Sequence, residues 1–283
     1  MLPELTVASL TGWAFVALFA AGTTALFVSY IRIRLPDPRR RRLLEDADMP
    51  ELKELRERAV AAVHGIGRRI DHGEAEQLLR SAYAKGDCLA GLHLSELLFS
   101  SPRHAVYKEI QAIFEACIPP VIELMDAGNP EASYLYCAAS NEELTEENAV
   151  YWQSEALIAA CDAGYVPALL HRGWLELDEW ESAAKQIEAM QWFSLAMEQG
   201  AARALTGMGA ILCNPKYPDF DPTRGLAMLE EAAVLGDRAA MYSLADCLLD
   251  PQLGDPQPEK ARATGWEAVV GDQSSRKFPP RRT

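Results

Sequence analysis

Cysteines are the side chains to consider first for chemistry, because thiolates act as nucleophiles, bind metals and form disulfides. None of the six cysteines forms a C-x-x-C pair, and five of them fall at unrelated distances from a set of regularly spaced glycines. This arrangement argues against a repeated disulfide and fits a reducing cytoplasm. We interpret all six as structural thiols that fill core positions: Cys88, Cys117, Cys137, Cys161, Cys213 and Cys247.

Histidines and carboxylates do not form an active-site pattern either. None of the five histidines stands at a metal-binding spacing from another histidine, a cysteine or a carboxylate. The acidic pairs Glu142-Glu143 and Glu146-Glu147 flank Thr145 at a predicted helix start, where acidic residues suit the helix dipole. No glycine-rich phosphate loop or nucleophile elbow is present in the sequence.

The sequence therefore predicts no enzyme, no cofactor, no metal site and no small-molecule substrate. An enzyme would require a pocket with convergent polar groups, and perturbed carboxylates in that pocket would favour this alternative.

The sequence contains a repeat that is marked by regularly spaced glycines and alanines. Gly164, Gly200 and Gly236 are 36 residues apart, and each has an alanine four residues before it and four residues after it. Apolar residues recur at helical spacing on both sides of each glycine. Glycine reaches a positive φ without a Cβ clash, so it can end one helix in a tight turn, and the alanines let two helices approach closely. Each unit is predicted to be a helical hairpin that must stack on its neighbours.

The same spacing extends beyond these three glycines. Gly128 lies 36 residues before Gly164, and Gly86 lies a further 42 residues before Gly128. We expect the six additional residues near Ser100-Ser101-Pro102 or around Pro119-Pro120, which are helix breakers. At the other end, Gly271-Asp272 stands where the next glycine is due, and the last unit is predicted to be half a hairpin that caps the array.

The pattern resembles the Sel-one-like repeat (SLR) family, a branch of the tetratricopeptide superfamily, over roughly residues 74–271. The resemblance rests on the motif residues of the hairpin around Gly200 and on the linker from Asp255 to Ala261. The motif residues are Ala189, Trp192, Phe193, Ala196, Gly200, Ala204, Met208 and Gly209. The resemblance implies an α-solenoid of about five hairpins that contacts other proteins, without catalysis.

Aromatic side chains at two positions of the second helix are candidates for such a contact. Positions six and ten after each turn glycine lie one helical turn apart, and a similar side lines the concave groove of tetratricopeptide relatives. Tyr134, Trp174 and Tyr242 occupy these positions, and exposed aromatic residues serve as binding anchors. The alternative is that they pack between repeats.

The N-terminal region predicts a membrane anchor. Residues 10–31 are apolar and uncharged, and about 20 such residues in a helix cross a bilayer. Arg32, Arg34 and Arg39 to Arg42 follow the span, whereas only Glu4 is charged before it, so the positive-inside rule places the remainder in the cytoplasm. A cleaved signal peptide would need a basic start and a shorter apolar core.

Charge excludes a nucleic-acid partner. The whole chain has a net charge of −14, and the basic run from Arg39 to Arg42 lies beside the span, where it suits topology and anionic lipids. An acidic domain repels phosphate backbones and favours solubility, and a basic partner would complement it.

The sequence thus predicts an all-α chain with an N-terminal transmembrane helix and an α-α solenoid of helical-hairpin repeats. Its predicted segments are an extracytoplasmic N-terminus (1–9), the span (10–31), a basic juxtamembrane linker (32–49), a leading helix (50–73), the solenoid (74–271) and a disordered basic tail (272–283).

The predicted function is that of a membrane-anchored adaptor that binds a protein partner at the bacterial inner membrane. The alternative is an integral regulatory subunit of an envelope complex for secretion, pilus assembly or cell division, in which small residues of the span would also make contacts.

Overall fold

The computed structural model describes residues 47, 49–99, 107–139, 155–177 and 182–273, and all regular secondary structure in these ranges is α-helical. The helices are α1 (Pro50–His64), α2 (His72–Ala84), α3 (Cys88–Phe99), α4 (Tyr107–Asp126), α5 (Pro130–Ala139), α6 (described over 155–162), α7 (Val166–Glu176), α8 (Ala183–Glu198), α9 (Ala202–Leu212), α10 (Pro222–Val234), α11 (Arg238–Cys247) and α12 (Pro258–Gln273). Consecutive helices pack on each other from α1 to α5 and from α7 to α12.

The regularly spaced glycines are the turns of these hairpins, which confirms the prediction from their spacing. All five have a positive φ: Gly86 96°, Gly128 86°, Gly164 73°, Gly200 83° and Gly236 96°. After each glycine, the next backbone N–H donates to the carbonyl four residues before the glycine, as in Ala201 to Ala196 at 3.2 Å. This bond satisfies a carbonyl that the ending helix leaves without a partner.

The alanines that flank each turn are fully buried, as the close approach of two helices requires. Ala160 and Ala168 around Gly164 are 0% exposed, and so are their counterparts around Gly200 and Gly236. At the one turn where leucine replaces the alanine, Leu124 is 3% exposed. A larger side chain is therefore accommodated at this turn, which belongs to the longest helix among those described.

The expectation that Pro119-Pro120 breaks a helix is wrong. Both prolines lie inside α4, which runs for 20 residues. Buried side chains continue along one face of α4 on both sides of the prolines: Ile110, Ile113, Cys117, Val121 and Leu124. Packing of this stripe offsets the hydrogen bonds that the two prolines cannot donate. The other predicted location, Ser100-Ser101-Pro102, lies outside the described residues.

The leading segment, residues 50–73, contains a helix that the sequence predicts from Pro50 to about Val63. It begins at Pro50 after Met49, and Gly65 ends it with φ 68°. The next helix begins at His72, two residues before the predicted start of the repeats at Glu74, because Asp71 caps it by accepting a hydrogen bond from the Glu74 N–H.

At the other end, α12 packs against α11 and runs to Gln273, two residues beyond Gly271. The predicted segments 1–9, 10–31 and the end of the basic tail, residues 274–283, fall outside the described residues.

Of the helices that the structure describes, none has the length and apolar character needed to cross a membrane.

The loop between α1 and α2 reaches the turns of distant hairpins. The N–H of Gly67 donates to the carbonyl of Gly200 at 3.1 Å, and the N–H of Ala202 donates to the carbonyl of Gly65 at 3.2 Å. The N–H of Ile70 donates to the carbonyl of Leu235 at 2.9 Å. The first hairpin therefore lies against the turns before α9 and α11.

Candidate functional site

A cavity of about 490 Å³ lies where the first hairpin approaches α9 and α11. Helices α1, α2 and α3 form one part of its wall, and the beginnings of α9 and α11 form the other. Its apolar lining comes from Val60, Val63, Leu79, Leu97 and Ala239. Its remaining lining residues carry polar or charged groups: His64, His72, His93, Glu96, Arg203, Asp237, Arg238 and Tyr242. The volume and mixed lining are those of a ligand-sized site.

A buried arginine anchors α1 behind this cavity. The side chain of Arg56 is 3% exposed, and its Nη1 lies 2.5 Å from Oδ2 of Asp87. Its Nε lies 3.2 Å from Oε1 of Glu131, and its Nη2 donates to the carbonyl of Ala47 at 2.9 Å. Asp87 also caps α3, because its Oδ1 accepts the N–H of Leu89 at 3.0 Å. One guanidinium thus connects α1, α3 and α5.

His93 extends this network to the cavity wall. Its Nε2 lies 3.0 Å from Oε1 of Glu131, and its Nδ1 lies 3.9 Å from Oε2 of Glu96. Burial by itself lowers the pKa of His93, but the hydrogen bonds and charges of the two carboxylates outweigh burial and raise the pKa to about 9. Partial burial raises the pKa of Glu96, whose side chain is 42% exposed, but His93 and the Tyr134 hydroxyl outweigh this and lower the pKa.

The other two histidines of the cavity are held neutral. Burial, followed by the positive charge of Arg203, lowers the pKa of His64 to about 3. The same two causes lower the pKa of His72. His64 is 5% exposed, and its Nδ1 has no hydrogen-bond partner. The cavity thus combines two neutral imidazoles with one imidazolium that two carboxylates neutralise.

Carboxylates with perturbed pKa values are the feature that would favour an enzyme. The pKa values of these carboxylates, however, are lowered, away from neutral pH. A general acid or base works best with a pKa near the working pH. His93 is held protonated and Glu96 and Glu131 are held ionised, so this set of groups forms fixed ion pairs. In the part of the chain that the structure describes, no group of three metal-ligating side chains could hold a metal ion.

The ion pair of His93 predicts a fall in stability above neutral pH. Because the pKa of His93 is higher in the folded chain than in the unfolded chain, His93 contributes its full stabilisation of the folded state below the unfolded value of 6.5. This contribution is lost as the pH rises through about 9. We expect the free energy of unfolding to fall by roughly 1–2 kcal/mol between pH 6.5 and 8. Urea unfolding followed by circular dichroism at the two pH values measures this fall.

The His93→Gln variant should lack this dependence. His72→Gln is the matched control, because the lowered pKa of His72 affects stability only as the pH falls below 6.5. If His93→Gln keeps the full slope between pH 6.5 and 8, the carboxylates do not hold an imidazolium at this position.

The structure places the first predicted binding residue, Tyr134, in the interior. Tyr134 is 2% exposed, and its hydroxyl donates to Oε1 of Glu96 at 2.5 Å. Its ring lies 5.6 Å from that of Tyr165 and 6.0 Å from that of His171, measured between centroids. The buried Tyr134 hydroxyl thus fixes Glu96, which lines the cavity, by a hydrogen bond. Whether it contacts a partner stays a prediction.

The other two predicted residues lie apart from each other. Trp174 is partly buried, and its ring packs edge-on against Phe193 with centroids 5.2 Å apart. Tyr242 is 49% exposed and lines the cavity. Of the three residues, only Tyr242 combines an exposed aromatic surface with a place in the cavity wall.

No motif in the sequence predicted the charged residues of the cavity. A signal was present, because Arg203 and Arg238 lie in the first turns of α9 and α11. The positive end of the helix dipole disfavours cations by roughly 0.3–1 kcal/mol at each such position. Basic residues also lie in the first turns of helices outside the cavity, such as Lys185 in α8 and Arg224 in α10, so this signal does not single out Arg203 and Arg238.

Two cysteine pairs also meet, although their offsets in the repeat are unrelated. The thiol of Cys88 lies near that of Cys117, and the thiol of Cys213 lies near that of Cys247. The members of each pair come from different helical hairpins, so the offset within one repeat does not reveal the contact. All six cysteines are free thiols in the structure.

Among known proteins, the chain is similar only to solved structures. No protein-family model matches the sequence, and no curated protein matches it. A Sel1 repeat protein from Oxalobacter formigenes is 18% identical with a TM-score of 0.44, over 78% of this chain and 88% of that protein. A protective antigen of uropathogenic Escherichia coli that displays an SLR fold is 16% identical with a TM-score of 0.44, over 80% of this chain. An immunity protein from Pseudomonas aeruginosa is 15% identical with a TM-score of 0.46, over 83% of this chain and 90% of that protein.

The match spans only 50% of the length of the Escherichia coli antigen. At these identities and TM-scores, the assignment of the fold rests on the helices of this chain themselves. The glycine turns, the buried alanines and the stacked hairpins define a repeat protein of the α-solenoid class.

Proposed function

We propose that this chain is an adaptor that binds a protein partner through the cavity formed by its helical hairpins. The observation that carries the proposal is the position of Tyr242, a large aromatic side chain that is 49% exposed in the wall of a ligand-sized cavity. Tyrosine is enriched among the residues that dominate binding energy at protein interfaces. An α-solenoid is suited to this role, because its stacked hairpins form an extended binding surface.

We further propose that the N-terminal region anchors this adaptor in the bacterial inner membrane, with the hairpins in the cytoplasm. The support is the apolar stretch 10–31 and the arginines that follow it in the sequence. Anchoring would restrict the encounter with a partner to the membrane surface and raise the effective concentration there.

The proposal predicts that Tyr242→Ala weakens capture of the partner. The experiment crosslinks the tagged full-length chain in cells, captures it in mild detergent and identifies the bound protein. We expect capture per folded molecule to fall by at least about fivefold, which corresponds to roughly 1 kcal/mol for an interface anchor. The unfolding midpoint should stay near that of the wild type, because half of this side chain is already exposed.

Tyr107→Ala is the matched control, since Tyr107 is 60% exposed and lies on α4 outside the cavity lining. Unchanged capture by Tyr242→Ala would refute a role of the cavity in partner binding. Trp174→Ala tests the second aromatic residue in the same way. Replacing residues 10–31 with an unrelated span separates an adaptor, which keeps its partner, from an integral subunit of an envelope complex, which loses it.

A further inference from the structure

The first hairpin meets the later hairpins through main-chain hydrogen bonds. Residues 65–67 pair with residues 200–202 as a single antiparallel β-bridge, through two N–H···O bonds of 3.1 and 3.2 Å. The N–H of Ile70 donates to the carbonyl of Leu235 at 2.9 Å. The segments that make this contact are here called the clasp: residues 65–71, 200–202 and 235–236.

Small residues bring the main chains of the clasp close together. A Cβ atom added at Gly65 would lie 2.7 Å from Cβ of Ala202, and one added at Gly236 would lie 3.1 Å from the carbonyl oxygen of Ile70. Hydrophobic stabilisation grows with the apolar area that a contact removes from water, and glycine and alanine supply little of it. The hydrogen bonds therefore contribute much of the stability of the clasp, and water can replace them when the two sides separate.

Each side of the clasp is held in place by contacts within its own group of helices. On one side, Arg56 of α1 forms ion pairs with Asp87, which caps α3, and with Glu131 of α5. On the other side, α9 packs against α8 and α10, and α11 packs against α10 and α12. The two sides can therefore separate while the helices that carry them remain folded.

The clasp adjoins the cavity of about 490 Å³ instead of a packed core. His64 and Arg203 line this cavity, and they are the chain neighbours of Gly65 and Ala202. The Nδ1 atom of His64 is buried and has no hydrogen-bond partner among the described residues. Buried polar atoms nearly always have a partner, and one without a partner raises the free energy of the closed form. Opening of the clasp would give this nitrogen access to water.

We propose that the clasp opens and closes as one unit while the hairpins stay folded. The two sides of the clasp carry the two walls of the cavity, α1 to α3 and the beginnings of α9 and α11, so opening widens the cavity. Local opening of this kind is expected where few apolar side chains are buried between two separately packed parts. The inference goes beyond the proposed function, because it concerns access to the cavity and its test requires no partner.

Hydrogen exchange resolved to single amides tests the inference, and the loop between α1 and α2 contains its own control. The N–H groups of Gly67 and Ile70 bond across the clasp, whereas those of Ile66 and Asp71 bond to carbonyls of α1 in the same hairpin. We expect the first two amides to exchange at least about tenfold faster than the other two, after correction for intrinsic rates. Mass spectrometry with electron-transfer fragmentation measures these rates for the full-length chain in mild detergent. Equal protection of the four amides would overturn the inference, because the loop would then open only with its hairpin.

A disulfide that closes the clasp tests whether it opens as one unit. Ile66 and Ala201 form a non-hydrogen-bonded antiparallel pair, whose Cα atoms are typically about 4.5 Å apart, a distance that a disulfide bridges. In the Ile66→Cys/Ala201→Cys variant, oxidation with oxidised glutathione should slow exchange of the Ile70 N–H at least about fivefold relative to the reduced variant. Ile66→Cys alone, treated with the same oxidant, controls for reaction of the six native cysteines.

Unchanged exchange at Ile70 in the crosslinked chain would show that the contacts with the two turns open separately, and the clasp would not be one unit. If the disulfide does not form, the comparison of the four amides in the wild type decides the inference. If capture of the partner depends on Tyr242 but the four amides are equally protected, this inference fails and the proposed function stands. If the amides differ and capture does not depend on Tyr242, the clasp stands and the proposed function fails.

Discussion

Replacing Phe193 with alanine is expected to lower the free energy of unfolding by about 3–5 kcal/mol. The ring of Phe193 is 0% exposed, and it fills a space that two glycines leave open on neighbouring helices. A Cβ atom added at Gly173 would lie 2.6 Å from this ring, and one added at Gly207 would lie 2.4 Å from it. The alanine variant would leave a cavity that these backbones cannot fill without moving.

Leu195→Ala is the control for this prediction, because Leu195 lies on the same helix and is 44% exposed. It should cost less than about 1 kcal/mol. Urea unfolding of the full-length chain, followed by circular dichroism, compares the two variants with the wild type. Similar losses for Phe193→Ala and Leu195→Ala would contradict the packing of α8 described above.

The sequence allowed the hairpin turns to be predicted because their cause is local. A helix that ends in a left-handed turn needs glycine at one position, whatever the rest of the fold does. The positive φ of Gly164, Gly200 and Gly236 therefore follows from their spacing alone. The flanking alanines were also predictable, since two helices joined by so short a turn must approach closely.

The cavity could not be predicted, because it depends on how the array curves. Curvature is the sum of small rotations between hairpins, and no single motif in the sequence records it. His64 and Arg203 line the same cavity although they are 139 residues apart in the sequence. Their proximity depends on the contact of Gly65 and Gly67 with the turn at Gly200.

The aromatic candidates illustrate the same limit. Tyr134 and Tyr242 occupy the same position relative to their turn glycines, but one is 2% exposed and the other is 49% exposed. Tyr165 and His171 cover Tyr134, whereas Tyr242 faces the cavity. Equal position in a repeat thus does not give equal burial, because each hairpin has different neighbours.

Removal of the buried arginine, in the variant Arg56→Ala, is expected to destabilise the protein by about 3–5 kcal/mol. Without Arg56, the carboxylate of Asp87, which is 2% exposed, loses its positive partner. Glu131 keeps only His93. Arg58→Ala is the matched control on the same helix, because Arg58 is 53% exposed and lies 3.7 Å from Glu74. A surface pair of this kind contributes about 0–1 kcal/mol.

A second variant distinguishes loss of charge balance from loss of packing volume. Arg56→Met with Asp87→Asn and Glu131→Gln removes all three charges and keeps similar side-chain sizes, so it should recover much of the stability that Arg56→Ala loses. The measurement is the urea midpoint of each variant at pH 6.5. If the triple variant is as unstable as Arg56→Ala, the contribution of Arg56 lies in its hydrogen bond to Ala47 and the packing of its stem, and the electrostatic account of how α1 is held against α3 and α5 is wrong.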